Sequence, residues 1–255
     1  MKKIAIVTGA SSGMGADFVR QLARRAGLDE LWVVARRGER LAALAREVGA
    51  ISGAPRLVPI AADLAKGGAA SIRTKLEDER PDLRLLVLDA GVGRFATFEE
   101  TDKEDSLAMI DLNVRALTES AKDSLRHFGP GGGMILVASL AGLGPMGNIA
   151  VYAATKAYVL SFGVALGEEL RPRGIGVTVL CPGPVATEFS AVAAKGGPGV
   201  MRGSVTSATV VERCLRAYDR GRSFAFGHWT WALAPAALRL VSRRFLARQA
   251  MKIMR

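Results

Sequence analysis

The chain has 255 residues, 49% of them apolar and 23% charged, a balance typical of globular proteins that excludes a disordered or collagen-like chain. Its formal charge of +11 raises nucleic acid as a partner, but the basic residues are scattered and no helix-turn-helix, zinc-finger or RNA-binding signature accompanies them. No nucleic-acid function is expected. The two cysteines, Cys181 and Cys214, and the two histidines, His127 and His228, lack metal-ligand spacing, so no metal site is expected, and reduced thiols suit a cytoplasmic location.

Taken in chain order, short apolar runs at 4–7, 31–34, 57–60, 83–88, 134–138 and 177–180 read as strands. Their continuous apolar character suits parallel strands covered on both faces. The first run stops at a glycine-rich turn, too soon for a secretory or spanning segment. Helical patterns at 13–26, 38–48, 66–79, 103–128 and 150–171 separate the strands. This succession, with right-handed crossovers, predicts an α/β fold: a Rossmann-type doubly wound parallel sheet of about seven strands with helices on both faces. Residues 129–133 read as a tight helix-to-strand connection and 196–199 as a mobile loop. No linker or repeat splits the chain, so 1–228 is expected to be one dinucleotide-binding and catalytic domain and 229–255 a basic amphipathic extension of it.

The first strand runs into Gly9-Ala10-Ser11-Ser12-Gly13-Met14-Gly15 and then a helix, the order a pyrophosphate site requires. Gly9 permits a tight turn, Gly13 lets backbone approach phosphate, Gly15 allows close helix-to-strand packing, and the helix N-terminus offers amide donors. Gly9, Ser11, Ser12, Gly13, Met14 and Gly15 are therefore expected against the cofactor. At the end of the second strand, Ala35-Arg36-Arg37 stands where an NAD enzyme has an acid; Arg36 can pair with a 2′-phosphate, which favours NADP(H) over NAD(H). Tyr152 and Lys156 are four apart and share a helix face. An ammonium in a partly desolvated pocket has the sign needed to bring a phenol toward neutrality. Ser139 ends a strand, at the edge where open α/β sheets bind ligands.

The G-x-x-x-G-x-G spacing, followed in order by Asn113, Ser139, Tyr152, Lys156 and Pro182-Gly183, resembles the short-chain dehydrogenase/reductase family in its single-domain form. The resemblance implies an oxidoreductase that interconverts a ketone or aldehyde and an alcohol. In it Tyr152 is the general acid/base, Ser139 holds the carbonyl oxygen, Lys156 bonds the nicotinamide ribose and Asn113 helps hold a water. It further implies cofactor contacts at Arg37, Asp63, Leu64, Ala90, Gly91, Tyr152, Lys156, Pro182, Gly183, Val185 and Thr187. A homodimer or homotetramer built on the helices at 103–128 and 150–171 is also implied. For Asp63 an N-cap of the following helix competes with an adenine contact. One departure stands out: where the family has Asn-Asn-Ala-Gly this chain has Leu88-Asp89-Ala90-Gly91, and an ionised acid accepts hydrogen bonds without donating.

Segments 93–98, 140–149 and 188–200 contain Phe95, Leu140, Leu143, Met146, Ile149 and Phe189, which favour an apolar or amphipathic carbonyl substrate. In the tail, Pro235 can start a helix on which Leu238, Val241, Phe245 and Ile253 share one face while Arg239, Arg243, Arg248, Lys252 and Arg255 gather on another. Packing on the body or a partner subunit and peripheral contact with an anionic membrane are both open to it.

Overall fold

The computed structural model describes residues 1–193, 204–239 and 241–253. The expected loop at 196–199, the end of the 188–200 segment and Arg255 lie outside the described residues, as do the side chains of Arg239 and Ile253.

Strands β1 (Lys3–Thr8), β2 (Glu30–Ala35), β3 (Arg56–Ala61), β4 (Asp82–Leu88), β5 (Phe128–Val137) and β6 (Gly176–Cys181) fall where the apolar runs place them. Strands β7 (Val185–Ala186) and β8 (Val205–Thr206) pair into a separate ribbon, and β9 (Phe224–Phe226) completes a seven-stranded parallel sheet in the order β3-β2-β1-β4-β5-β6-β9. Because side chains alternate across a strand, each run feeds two cores. Ala5, Val7, Leu31, Val33, Leu85 and Val87 pack with Phe18 and Leu22 of α1 (Gly13–Leu22), Leu41 of α2 (Gly38–Gly49) and Val210 and Leu215 of α8 (Ser207–Asp219). Ile4, Ile6, Trp32, Val34, Leu86 and Leu88 pack with Ile72 of α3 (Ala69–Glu79), Leu117 of α5 (Leu117–Ser124) and Val159 of α6 (Ala150–Leu170). Burying each such side chain contributes about 1.5–3 kcal/mol.

The stretch 103–128 is not one helix: α4 (Lys103–Ile110) passes into a π-helical segment, Asp111–Ala116, before α5 and a 3-10 turn. Such a bulge re-aims side chains, and this one carries Asn113. Residues 129–133 are not a connection but the bulged start of β5, whose register against β4 shifts between Leu83 and Leu85.

At the N-terminal edge of the sheet, Glu30 is buried and receives hydrogen bonds from Trp32 Nε1 at 2.8 Å, Lys2 Nζ at 3.0 Å and Arg56 Nη2 at 2.5 Å. Burial alone would raise this carboxyl; the bonds from Trp32, Arg56 and Lys2 outweigh it and bring the pKa down to about 2.

Helix α6 and its following turn, Ala150–Arg173, are long and apolar enough to cross a membrane by length and composition. Tyr152, Lys156, Val159, Gly163 and Leu166 are nevertheless buried, and the helix packs on β5 and β6. Tyr158 and Val164 remain exposed on it, as do Leu107 and Ile110 on neighbouring α4.

The tail forms a 3-10 turn, Trp229–Leu233, then α9 (Ala234–Arg239) and α10 (Arg243–Ile253). The single helix expected from Pro235 is thus broken, with Ser242 opening α10: its carbonyl accepts from Leu246 N at 3.1 Å and its Oγ from Phe245 N at 3.3 Å. The break rotates the apolar face. Phe245 is 52% exposed, whereas Ala250 is buried. Leu246 lies against Gly144, Met251 against Gly147, and Asn148 Nδ2 donates to the Met251 carbonyl at 3.1 Å.

Candidate active site

Strand order reverses between β1 and β4, and such a point leaves a crevice at the carboxyl ends of the strands. A cleft of about 470 Å³ occupies this edge. Its wall begins at the glycine turn. Gly9 has φ +72°, and a Cβ there would lie 2.9 Å from Ala90 N; a Cβ on Gly15 would lie 2.3 Å from the Gly9 carbonyl oxygen. Gly15 itself does not line the cleft; it seats α1 on β1, as its spacing predicts. Ser12 occupies the N-cap of α1 without a side-chain cap, which leaves the first amides of the helix available to an anion.

Arg36 and Arg37 both border the cleft. Arg36 has no ion-pair partner among the described residues. Arg37 donates from Nη2 to Ser12 Oγ at 2.8 Å, from Nε to Ser11 Oγ at 3.2 Å and from Nη1 to Glu188 Oε2 at 3.1 Å. Arg40, one helical turn further on, donates from Nη1 to both Glu188 oxygens at 2.7 and 2.9 Å. Asp63 does act as a cap, accepting from Ala65 N at 3.2 Å, but of the 3-10 turn Leu64–Lys66 ahead of α3; it and Leu64 still face the cleft.

In the middle of the cleft, Thr8 Oγ1 accepts from the amides of Asp89 and Ala90, both at 3.1 Å, and fixes the turn after β4. The Asp89 carboxyl lies beside Gly15, whose backbone amide favours its ionised form. Burial drives this carboxyl up to about 7; Lys156 and the Gly15 amide oppose the shift without cancelling it. Gly91 is closely surrounded: a Cβ there would come within 3.2 Å of Asn113 Oδ1 and 3.4 Å of Lys156 Nζ. Asn113 does not reach the cleft surface. Its Oδ1 accepts from Val92 N at 2.9 Å, and its Nδ2 donates to the Val92 carbonyl at 2.9 Å and to Thr155 Oγ1 at 3.0 Å, tying the 91–92 backbone to α6.

At the far end Ser139, Tyr152 and Lys156 converge. Ser139 follows β5 and caps the 3-10 turn Leu140–Leu143, its Oγ accepting from Ala141 N at 3.1 Å, and its hydroxyl favours the ionised form of the Tyr152 phenol. Lys156 Nζ donates to the Val137 carbonyl at 2.9 Å and lies 5.9 Å from the centre of the Tyr152 ring. Burial lowers this ammonium to about 8, with Asp89 opposing. The expectation that Lys156 pulls the phenol toward neutrality is not met by the protein alone. Burial pushes Tyr152 up to about 12, against the Ser139 hydroxyl and with a further rise from Asp89. Desolvation penalises the phenolate more than an ammonium at this distance favours it.

The cleft also brings Pro182, Gly183, Val185 and Thr187 to its wall, as expected. Around Tyr152, Phe95 and Phe189 place their rings 6.2 and 5.6 Å from its own, and Leu140, Met146, Ile149 and Val192 continue the apolar lining. Leu143 is not part of it. The sequence pattern does not disclose Arg40, Trp231, whose ring packs behind Gly183, or the ion pairs of Glu188, which opens the expected 188–200 segment. The helical spacing of Arg40 from Arg37 is the one signal toward them.

Backbone suited to phosphates and a proton-donating group open on one cleft, the layout of an oxidoreductase that works with a nicotinamide dinucleotide. Residues 3–196 match the short chain dehydrogenase family, and the chain belongs to it. An uncharacterized oxidoreductase of Mycobacterium tuberculosis is 34% identical over 236 residues, 89% of either chain. The short-chain dehydrogenase from Sphingobium yanoikuyae in complex with NADPH is similar with a TM-score of 0.83 and 29% identity, over 93% of this chain and 92% of that one. The bulky-bulky ketone specific alcohol dehydrogenase from Comamonas testosteroni follows with a TM-score of 0.78 and 26% identity, over 96% and 99%. The protein is accordingly an oxidoreductase of alcohol and carbonyl groups with a nicotinamide cofactor.

Proposed function

We propose that the protein is an NADP(H)-dependent reductase of an apolar or amphipathic ketone or aldehyde, with Tyr152 as proton donor. One observation carries the reading: a single cleft joins arginines at one end to a buried phenol among aromatic rings at the other. NADPH, when bound, supplies the hydride. Ser139 and Tyr152 hold the substrate oxygen between two hydroxyls. In its protonated form Tyr152 is the group that donates in carbonyl reduction. Lys156, protonated below about pH 8, offers its ammonium to the nicotinamide ribose, and Asn113 acts as a positioning residue through the Val92 backbone. The glycine turn and the α1 amides hold the pyrophosphate, and Arg36 and Arg37 the 2′-phosphate. Asp63, Leu64, Ala90, Pro182, Gly183, Val185 and Thr187 complete the cofactor wall.

The exposed Leu107, Ile110, Tyr158 and Val164 support a homo-oligomer built on α4 and α6. Unpaired, buried cysteines support a cytoplasmic location. The packing of Leu246 and Ala250 supports a structural role for the tail rather than a membrane anchor.

Oxidation of NADPH and of NADH, measured with steroid-like, long-chain and small aliphatic ketones, tests the proposal. Faster turnover with NADPH and with the bulky apolar ketones is expected; equal use of both cofactors, or a preference for small polar carbonyls, would remove the finer reading.

A further inference from the structure

The arginines that border the adenosine end of the cleft are not all free. Glu188, the first residue of α7 (Glu188–Ala193), comes from the opposite wall and takes hydrogen bonds from both Arg37 and Arg40. It follows Thr187 directly, and both residues line the cleft beside Ser11, Ser12 and Arg36. Its carboxylate therefore sits on the Arg37 guanidinium that also bonds Ser11 and Ser12 of the glycine turn, and it carries a negative charge, as a phosphate does. The Arg40 and Arg37 bonds hold its pKa below the usual carboxylate range, so it is ionised throughout neutral pH.

We propose that Glu188 is a specificity-determining residue of the cofactor site: its carboxylate competes with a ribose 2′-phosphate for Arg37. The proposal rests on the NADP(H) reading above. A 2′-phosphate that engages Arg37 beside Arg36, unpaired among the described residues, must displace Glu188 or share the guanidinium with it at the cost of like-charge repulsion, whereas a plain 2′-hydroxyl does neither and can donate to the carboxylate. Side chains in both ion pairs are between 43% and 48% exposed, so the competition is of modest strength and weakens with salt. A chain with arginines after β2 thus also carries its own counterweight to them.

Calorimetric titration of the full chain with adenosine 2′,5′-bisphosphate and with 5′-AMP tests this without any turnover. For Glu188→Gln the bisphosphate is expected to bind about three- to ten-fold more tightly than to the parent chain, with no gain for 5′-AMP, and raised salt should narrow the difference. Arg37→Ala, measured alongside, should weaken the bisphosphate alone. If Glu188→Gln leaves the bisphosphate unchanged or weakens it while Arg37→Ala still weakens it, the competition is refuted and the NADP(H) reading stands. If neither the parent chain nor the arginine variant distinguishes the two nucleotides, the NADP(H) reading fails and this proposal fails with it.

Discussion

At the N-terminal edge of the sheet Glu30 is met by three donors, whereas at the C-terminal edge Asp89 has one backbone amide and a lysine with which it forms no ion pair among the described residues. The first carboxyl is drawn down to about 2, the second pushed up to about 7. Tyr152 and Lys156 share the second regime, each displaced by burial toward its neutral form. At the first edge three donors compensate the buried charge of Glu30; where the sheet opens on the cleft, desolvated groups are displaced toward their neutral forms.

The strongest way to break this contrast is Tyr152→Phe. Turnover should fall by about 10²–10⁴-fold in a cofactor-oxidation assay, with melting temperature and cofactor affinity nearly unchanged, because the ring still packs against Phe95 and Phe189. An equal loss of cofactor binding would show the phenol to be structural.

Asp89→Asn sharpens it next. The folded-state pKa lies above the ordinary 3.8, so the stability this group contributes is present below about pH 4 and lost as pH rises through about 7. Denaturant titrations should find the asparagine variant more stable than the parent at pH 8, by up to about 4 kcal/mol, and level with it at pH 4. Glu30→Gln should do the reverse at the other edge. Its pKa lies below the ordinary 4.5, so its contribution, about 1.5–3 kcal/mol, persists above that value and disappears as pH falls toward 2. This variant should keep its turnover; if activity drops at temperatures where it remains folded, the two edges are not separable. The smallest effect belongs to Arg36→Ala, which should weaken NADPH by about five-fold and NADH hardly at all, since the side chain is exposed. Equal weakening of both would take Arg36 out of the 2′-phosphate site.

Strands were legible because two-sided burial leaves an unbroken apolar run, as at β1 and β2. β9 is three residues long, too short for any pattern. Helix α8 did carry a signal that was not read: Thr206 caps it, and Val210, Val211, Cys214 and Leu215 recur at helical spacing. The catalytic candidates were legible from their order and spacing, but their electrostatics were not, because the desolvation that dominates at Tyr152 and Asp89 depends on the whole surrounding fold. Contacts such as Glu188 with Arg40, 148 positions apart, leave no trace in local pattern.

The family match ends at residue 196, yet the loop that carries Met146 and Ile149 to the substrate end leans on α10, through Leu246 at Gly144, Met251 at Gly147 and the Asn148 bond. One stretch of the cleft wall, 144–149, is thus braced from beyond the matched region, whereas Ser139, Tyr152 and Lys156 stand on elements inside it.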